Sequence, residues 1–247
     1  MKRFGLIGNP VAGSLSPRLF EAAYGGRHSY DLIEGADFDI SWRRFLDGYD
    51  GINITAPFKL DAFRSVDILS DSARLCGAVN LAVKTPEGIV GYNTDVDGVV
   101  LSVQETGIPV SDALVVGCGG AGRAAAVAAL RLGCRVTLVN RTPERAASLA
   151  SALGCGWISL EELTASRPGI APTVPDLVVY TVPGPMEGFP DFPEAVILEA
   201  NYRTPVLKGR GKVYISGLRW LLYQAVAGYS IFTGEAPDRD AMLGIFC

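Results

Sequence analysis

An ammonium group follows a short apolar strand in the segment GINITAPFK, residues 51–59. Ile52 and Ile54 are β-branched and favour a strand, whereas Pro57 cannot continue a strand ladder. The segment therefore predicts a buried strand that ends in a turn just before Lys59. A lysine in this position is a candidate for proton transfer to or from a reacting oxygen.

A carboxylate that could act with Lys59 occurs in the segment GYNTDVDG, where Asp95 stands at the predicted end of a strand. A nearby carboxylate keeps a lysine charged and oriented, and burial pulls the pKa of the lysine the other way. A strand end at a change in composition is a common place for a ligand cleft. From the residues alone, Asp97 and Asp61 compete with Asp95 for this role.

Glycines recur in the segment ALVVGCGGAGRAAA between a predicted strand and a predicted helix. Gly117, Gly119 and Gly122 form the pattern G-x-G-x-x-G, in which the first glycine permits a tight turn and the second lets backbone amides approach a pyrophosphate. The third allows close packing of helix on strand. With Gly120 and Ala121 opening the helix, whose N-terminus attracts anions, the segment predicts a dinucleotide site.

The end of the next predicted strand, VNRTPER, indicates which dinucleotide binds. An NAD site has an acidic residue about 20 residues after the glycines, to bind the ribose hydroxyls. Here Asn140, Arg141 and Thr142 stand instead, followed by Arg145. The helix dipole disfavours cations at a helix start, but guanidinium groups bind a phosphate dianion well. The sequence therefore predicts NADP as the cofactor.

The composition bounds the class of protein. The 247 residues are 49% hydrophobic and 19% charged, with a net charge of −4, which predicts a folded core and argues against a nucleic-acid surface. No apolar run approaches the ~20 residues of a membrane helix. The five cysteines lack a C-x-x-C pair, and His28 is the one histidine, so we expect reduced thiols, no metal site and a cytoplasmic location.

Strands and helices alternate along the chain, which predicts an α/β fold of two domains. The first half contains the predicted strands KRFGLIG, YDLIEG and GINIT, a hairpin in AVNLAVKTPEGIVGYN, and a helix in SPRLFEAAYGG that Ser16 would cap. From DALVVG onward a β-α-β pattern predicts a parallel, Rossmann-type sheet, and a long apolar helix follows KVYISG. We expect a substrate domain of residues 1–97 plus 219–247 and a cofactor domain of residues 98–218.

The same motifs resemble those of the shikimate dehydrogenases along nearly the whole chain. GNPVAGSLSP is similar to the family's G-N-P-x-x-H-S-x-S-P, and GINITAPFK to its N-V-T-x-P-x-K. CGAVN resembles G-A-V-N-T, GYNTDVDG resembles G-x-N-T-D-x-x-G, and SGLRWLLYQA resembles G-x-x-M-L-x-x-Q. The glycine segment and NRTPER also match the family's NADP motifs.

The resemblance implies roles for these residues. Lys59 would be the catalytic lysine and Asp95 its partner, and Gly217 would lie near the nicotinamide. The implied contacts to a small polyhydroxylated acid are Ser14, Ser16, Thr55, Asn80, Tyr202 and Gln224. The implied reaction is the NADP-dependent interconversion of 3-dehydroshikimate and shikimate by a monomer or homodimer. A dehydrogenase of quinate or another cyclohexane hydroxy acid, and a non-catalytic NADP- or metabolite-binding relative, are the alternatives.

Departures from the family pattern fall in three segments. Gly13 replaces the family's histidine before Ser14, and Glu199 replaces an aspartate in EANYRTPVL. The family's N-A-T-S-x-G-M loop appears as YTVPGPMEG, with Tyr180 and Pro183 among the changed positions. We therefore expect altered contacts on the nicotinamide side of the cofactor.

Overall fold

The computed structural model describes residues 1–165 and 174–246. It forms two compact units, Met1–Thr94 with Leu222–Cys247, and Asp95–Leu221. Part of the proline-rich segment RPGIAPTVPD and the cysteine at position 247 lie outside the described residues.

A six-stranded sheet forms the centre of the first unit, in the order β2-β1-β3-β5-β6-β4. Its strands are β1 Arg3–Gly8, β2 Ser29–Glu34, β3 Gly51–Ile54, β4 Ile68–Leu69, β5 Leu81–Thr85 and β6 Gly88–Tyr92. β1 pairs in parallel with β2 and β3, and β5 and β6 form the predicted antiparallel hairpin. The sheet is thus mixed, with its parallel part at the β1 side.

Helices cover the first unit's sheet. They are α1 Ser16–Tyr24, α2 Phe38–Gly48, α3 Lys59–Ser65, α4 Asp71–Cys76 and α10 Arg239–Leu243, with a 3-10 turn at Gly244–Phe246. The predicted long helix is α9, Gly217–Thr233, most of which belongs to this unit. Phe4 stacks on Phe232 at 4.6 Å between ring centroids, and Phe20 meets Tyr229 edge-on at 4.8 Å. Because all four rings are buried, they fix α1 and α9 on β1.

The predicted capping role of Ser16 is wrong. Leu15 precedes the helix and already has helical dihedral angles, and Ser16 is the first residue of α1. The amide of Ser16 donates to Ser14 Oγ at 3.2 Å, so Ser14 supplies the acceptor near this helix end. The amide of Leu19, which a Ser16 cap would bind, donates instead to the carbonyl oxygen of Leu15 at 3.0 Å, so the helix already begins before Ser16 could cap it.

The second unit has a six-stranded, wholly parallel sheet in the order β12-β11-β10-β7-β8-β9. Its strands are β7 Asp112–Val116, β8 Arg135–Val139, β9 Gly156–Ile158, β10 Leu177–Tyr180, β11 Val196–Glu199 and β12 Val213–Ser216. Its helices are α5 Asp95–Gln104, α6 Gly120–Arg131, α7 Pro143–Leu153 and α8 Leu160–Ala165. The predicted α/β class and the Rossmann-type sheet are confirmed.

In the part of the chain that the structure describes, none of the helices has the length and hydropathy of a membrane span. Nor do these residues bring three His, Cys, Asp or Glu side chains together as a metal site would need.

Candidate active site

The glycine segment connects β7 to α6 with almost no room for side chains. Gly117 has a φ of +100°, which glycine adopts easily and other residues do not. A Cβ on Gly122 would lie 1.8 Å from the carbonyl oxygen of Gly117, so the turn closes against the helix. A Cβ on Gly119 would meet no atom within 4 Å. This side of the turn is open for a ligand to approach the backbone amides.

Gly120 and Ala121 are the first two residues of α6, with Gly119 as the N-cap. Gly119 has no side chain to accept the helix's first amide hydrogens, so these amides stay directed out of the helix end. Amides and helix dipole together suit a pyrophosphate. The residues present therefore fit a dinucleotide.

Asn140 ties the glycine segment to the end of β8. Its Oδ1 accepts the amide hydrogen of Cys118 at 3.1 Å, and its Nδ2 donates to the carbonyl oxygen of Thr142 at 3.0 Å. Arg141 and Arg145 are exposed, and neither forms an ion pair with a carboxylate of the described residues. These two guanidinium groups fit the phosphate that distinguishes NADP from NAD.

Hydrogen bonds hold the changed loop after β10, and some of their donors are side chains at positions that differ from the family pattern. Tyr180 is buried, and its hydroxyl donates to the carbonyl oxygen of Gly184 at 2.6 Å. Thr181 Oγ1 donates to the carbonyl oxygen of Val116 at 2.7 Å, and Asn201 Nδ2 donates to that of Pro183 at 3.0 Å. The substitutions thus provide a different but well-bonded loop.

Glu199 organises the segment that carries Tyr202. The carboxylate is fully buried and accepts the amide hydrogens of Val206 at 2.7 Å and Leu207 at 3.1 Å, and the hydroxyl hydrogen of Tyr214 at 3.0 Å. Burial and the charge of Glu199 raise the pKa of Tyr214. Tyr202 is half-buried and lines a cleft of about 510 Å³.

Gly217, the first residue of α9, follows β12 directly. A Cβ at this position would lie 2.2 Å from the carbonyl oxygen of Ala200 and 2.8 Å from that of Glu199. The helix start therefore packs on the backbone after β11, at the carboxyl end of the parallel sheet. Cofactors bind at this end of such sheets.

The two serines lie on the connection between β1 and α1 and contact each other. Ser14 Oγ donates to Ser16 Oγ at 3.0 Å; Ser14 is half-buried and Ser16 is buried. The Glu34 carboxylate, at the end of β2, accepts the amide hydrogens of Val11 at 2.8 Å and Ala12 at 3.0 Å. These bonds hold the pKa of Glu34 below its ordinary value.

Sequence reasoning missed Glu34. The signal was an acid followed by a glycine at the end of a predicted strand, and its partner amides could be found only from the parallel pairing of β1 and β2.

Thr55 follows β3, and its amide donates to the carbonyl oxygen of Ile7 in β1 at 3.0 Å. Its own carbonyl oxygen accepts the amide hydrogen of Phe58 at 3.0 Å, which closes the turn that the sequence predicts before Lys59. Lys59 is half-buried and begins α3. Thr55 and Lys59 thus flank one tight turn at the carboxyl end of β3.

Asn80, Thr94 and Gln224 come together in the first unit. Asn80 is 3% exposed, and its Oδ1 accepts the amide hydrogen of Thr94 at 2.8 Å while its Nδ2 donates to Thr94 Oγ1 at 3.1 Å. Thr94 Oγ1 donates to Gln224 Oε1 at 3.4 Å. Two amide side chains from distant parts of the sequence are therefore fixed around one hydroxyl group.

The expectation that Asp95 stands at the end of a strand is wrong. β6 ends at Tyr92, and Asp95 is the first residue of α5, where the helix dipole favours a negative charge. Its carbonyl oxygen accepts the indole hydrogen of Trp220 at 2.9 Å.

The two competing aspartates have arginine partners. Asp97 lies 3.5 Å from Arg131, and Asp61 lies 3.7 Å from Arg64. Burial raises the pKa of Asp97, and the charge of Arg131 lowers it by less. His28 is half-buried and meets the rings of Phe4 and Tyr24 edge-on, as a packed aromatic residue does.

Comparison with known proteins agrees with both halves of this description. Residues 6–82 match the family model of the shikimate dehydrogenase substrate binding domain, and residues 94–190 match that of the alanine dehydrogenase/PNT C-terminal domain. The shikimate dehydrogenase (NADP(+)) of Acidiphilium cryptum is 38% identical, over 97% of this chain and 93% of that protein. The chain belongs to the shikimate dehydrogenase family.

Solved structures of this family superpose along nearly the whole chain. Shikimate 5-dehydrogenase of Thermus thermophilus, in complex with NADP(H) and shikimate, gives a TM-score of 0.84 at 31% identity and covers 98% of this chain and 97% of that one. Quinate dehydrogenase of Corynebacterium glutamicum, in complex with NAD, gives a TM-score of 0.83 at 26% identity and covers 99% of this chain and 98% of that one. The shikimate dehydrogenase fold that the motifs implied is therefore confirmed.

Proposed function

We propose that this chain is an NADP-dependent shikimate dehydrogenase that interconverts 3-dehydroshikimate and shikimate. The observation that carries the proposal is the combination of two features. Gly122 closes the glycine segment and Asn140 holds it, and Arg141 and Arg145 after β8 have no carboxylate partner within residues 1–165 and 174–246. Relatives of this chain that are named shikimate dehydrogenase match nearly its whole length.

The domain roles follow from the same observations. We propose that residues 1–97 plus 219–247 bind the substrate and that residues 98–218 bind NADP. Gly117, Gly119, Gly120, Ala121 and Gly122 would hold the pyrophosphate, with Gly217 at the nicotinamide. Asn140 and Thr142 would shape the ribose side, where Arg141 and Arg145 bind the phosphate.

The substrate is a ring acid with several hydroxyl groups, which short polar side chains recognise selectively. The Ser14 and Ser16 hydroxyls would hold the carboxylate, and Tyr202 is a further proposed contact to the substrate. Thr55, Asn80 and Gln224 would bind ring hydroxyls. A ligand that lacks one of these hydroxyls would bind more weakly, because it would leave a buried polar group of the protein without a hydrogen-bond partner.

Bound NADPH would supply the hydride that reduces the substrate carbonyl. Lys59 would donate a proton to the oxygen on which negative charge develops, and would take it back in the reverse direction. Asp95 would keep Lys59 charged and aligned. The arginine partners of Asp97 and Asp61 favour Asp95 for this role, because each of those carboxylates already balances a guanidinium.

The alternatives are a quinate or related cyclohexane hydroxy-acid dehydrogenase and a non-catalytic binder of NADP or a metabolite. The similar quinate dehydrogenase was solved with NAD. Against an NAD enzyme of that kind stand Arg141 and Arg145, where an NAD site would have an acid. We expect a cytoplasmic monomer or homodimer that binds small molecules, and neither nucleic acid nor a membrane.

The test is an NADPH absorbance assay with 3-dehydroshikimate, run in parallel with NADH and with quinate in the reverse direction. Lys59→Ala should lower kcat about 10²–10⁴-fold, with the Kd for NADPH unchanged. Lys84→Ala is the control, since this lysine donates to the carbonyl oxygen of Leu46 and lies outside the proposed site. If the wild-type chain turns over quinate but not 3-dehydroshikimate or shikimate, quinate is the substrate and the proposed one is wrong. If it binds NADPH but turns over neither substrate, the non-catalytic binder is favoured.

A further inference from the structure

Thr181 is the first residue after β10 and lies beside the end of β7. Its amide donates to the carbonyl oxygen of Val116 at 2.9 Å, and its hydroxyl donates to the same oxygen at 2.7 Å. The amide bond extends the ladder between the two strands, whereas the hydroxyl bond is additional to it. Thr181 therefore holds the last residue before the glycine segment with two donors.

The Thr181 hydroxyl also occupies the room that two glycines leave. A Cβ on Gly117 would overlap Thr181 Oγ1, and a Cβ on Gly122 would lie 3.1 Å from the same atom. Gly122 belongs to the first turn of α6. One oxygen atom thus packs against both the start of the glycine segment and the helix that follows it.

This hydroxyl is absent from the family pattern. The family's N-A-T-S-x-G-M loop has alanine at the position of Thr181, and an alanine cannot donate a side-chain hydrogen bond to the Val116 carbonyl. The bond therefore belongs to the changed loop of this chain, and it joins that loop to the glycine segment.

We propose that Thr181 is a positioning residue for the cofactor, whose hydroxyl fixes the glycine segment in the form that binds the pyrophosphate. This inference rests on the proposed function, in which the glycine segment holds that group. Thr181 acts through the turn and leaves the open side at Gly119 free, because a Cβ there would meet no atom within 4 Å. A turn that is already ordered binds its ligand at a lower cost in conformational entropy.

The role differs from that of the two arginines after β8. Arg141 and Arg145 are proposed to bind the phosphate that only NADP carries, whereas the pyrophosphate is common to NADP and NAD. Loss of the Thr181 hydroxyl should therefore weaken the binding of both nucleotides by the same factor. Equal weakening distinguishes a residue that shapes the turn from one that contacts the extra phosphate.

The experiment compares Thr181→Ala and Thr181→Ser in the full chain by fluorescence titration with NADP and with NAD. Thr181→Ala should raise both Kd values about three- to tenfold, the effect of one lost hydrogen bond, and leave the KM for shikimate within about twofold. Thr181→Ser keeps the hydroxyl and should keep both Kd values within about twofold of the wild type.

Thr106→Ala is the matched control. Thr106 is half-buried in the same unit, like Thr181, and its hydroxyl donates to the carbonyl oxygen of Val103 at 2.7 Å. The control variant loses the same kind of bond away from the glycines and should bind both nucleotides as the wild type does. A general loss of stability in this unit would instead raise the Kd values in both alanine variants.

Several outcomes would overturn the inference. These are unchanged Kd values in Thr181→Ala, an equal rise in Thr106→Ala or in Thr181→Ser, and a rise for NADP alone. Should Thr181→Ala not fold, Thr181→Val keeps the branched shape without the hydroxyl hydrogen and should raise both Kd values; wild-type values there would count against the proposal. If the wild-type chain binds neither nucleotide, the proposed function fails instead.

Discussion

Replacement of Glu199 by alanine should destabilise the second unit strongly. The carboxylate is fully buried and accepts three hydrogen bonds, from the amides of Val206 and Leu207 and from the hydroxyl of Tyr214. Each buried donor left without an acceptor costs about 1–3 kcal/mol of stability. Removal of the buried charge offsets part of this loss, because the charge no longer has to be kept out of water. We expect the free energy of unfolding to fall by about 3–5 kcal/mol.

The measurement is urea unfolding followed by circular dichroism. Glu199→Gln keeps one side-chain oxygen and should lose about half as much. Glu194→Ala is the control, because this exposed glutamate is near in sequence and should change stability by less than about 0.5 kcal/mol. If Glu199→Ala unfolds at the same urea concentration as Glu194→Ala, the carboxylate does not organise the segment that carries Tyr202.

Three further predictions concern the two predicted binding regions. The folded-state pKa of Glu34 is lowered by its bonds to the amides of Val11 and Ala12. The stabilisation that the ionised carboxylate gives to the loop of the serines is therefore complete above the ordinary glutamate pKa and is lost as pH falls through the lowered value. The KM for shikimate should rise in that acidic range, whereas Glu34→Gln should show a raised KM already at neutral pH; identical profiles would contradict this. Gly122→Ala should weaken NADP binding at least about tenfold in a fluorescence titration, since its Cβ would collide with the preceding turn, whereas Gly244→Ala, with open space around it, should not. Arg141→Ala and Arg145→Ala should each raise the Kd for NADP about 10–100-fold and leave the Kd for NAD unchanged, and an equal loss for both cofactors would refute the phosphate role.

The second unit was the easier part to predict from the sequence. The strand before Gly117, β7, is apolar and buried after Asp112, and the helix α6 of 12 residues follows it, so local periodicity and sheet topology agree. β4, β9, α4 and α8 were missed because each is too short to show a period.

The polar contacts between distant residues could not be read from the sequence. The amide partners of Glu34 became visible only when β1 and β2 were paired. Ser14, Lys59 and Asn80 stay predictions that rest on the family resemblance, because a resemblance carries positions that a single chain cannot reveal by spacing. Neither source gave the start of α1 correctly, since the last residue before a helix depends on one pair of dihedral angles.

The side-chain amide of Asn140 has a consequence for attempts to change the nucleotide preference. This residue lies among the positions that an engineer would exchange to convert NADP dependence to NAD dependence, yet its oxygen holds the backbone of Cys118. Replacement with an aspartate retains an acceptor there, whereas a hydrophobic residue removes it and loosens the turn for either nucleotide. A conversion that begins with the two exposed arginines and keeps Asn140 therefore leaves the phosphate cradle intact.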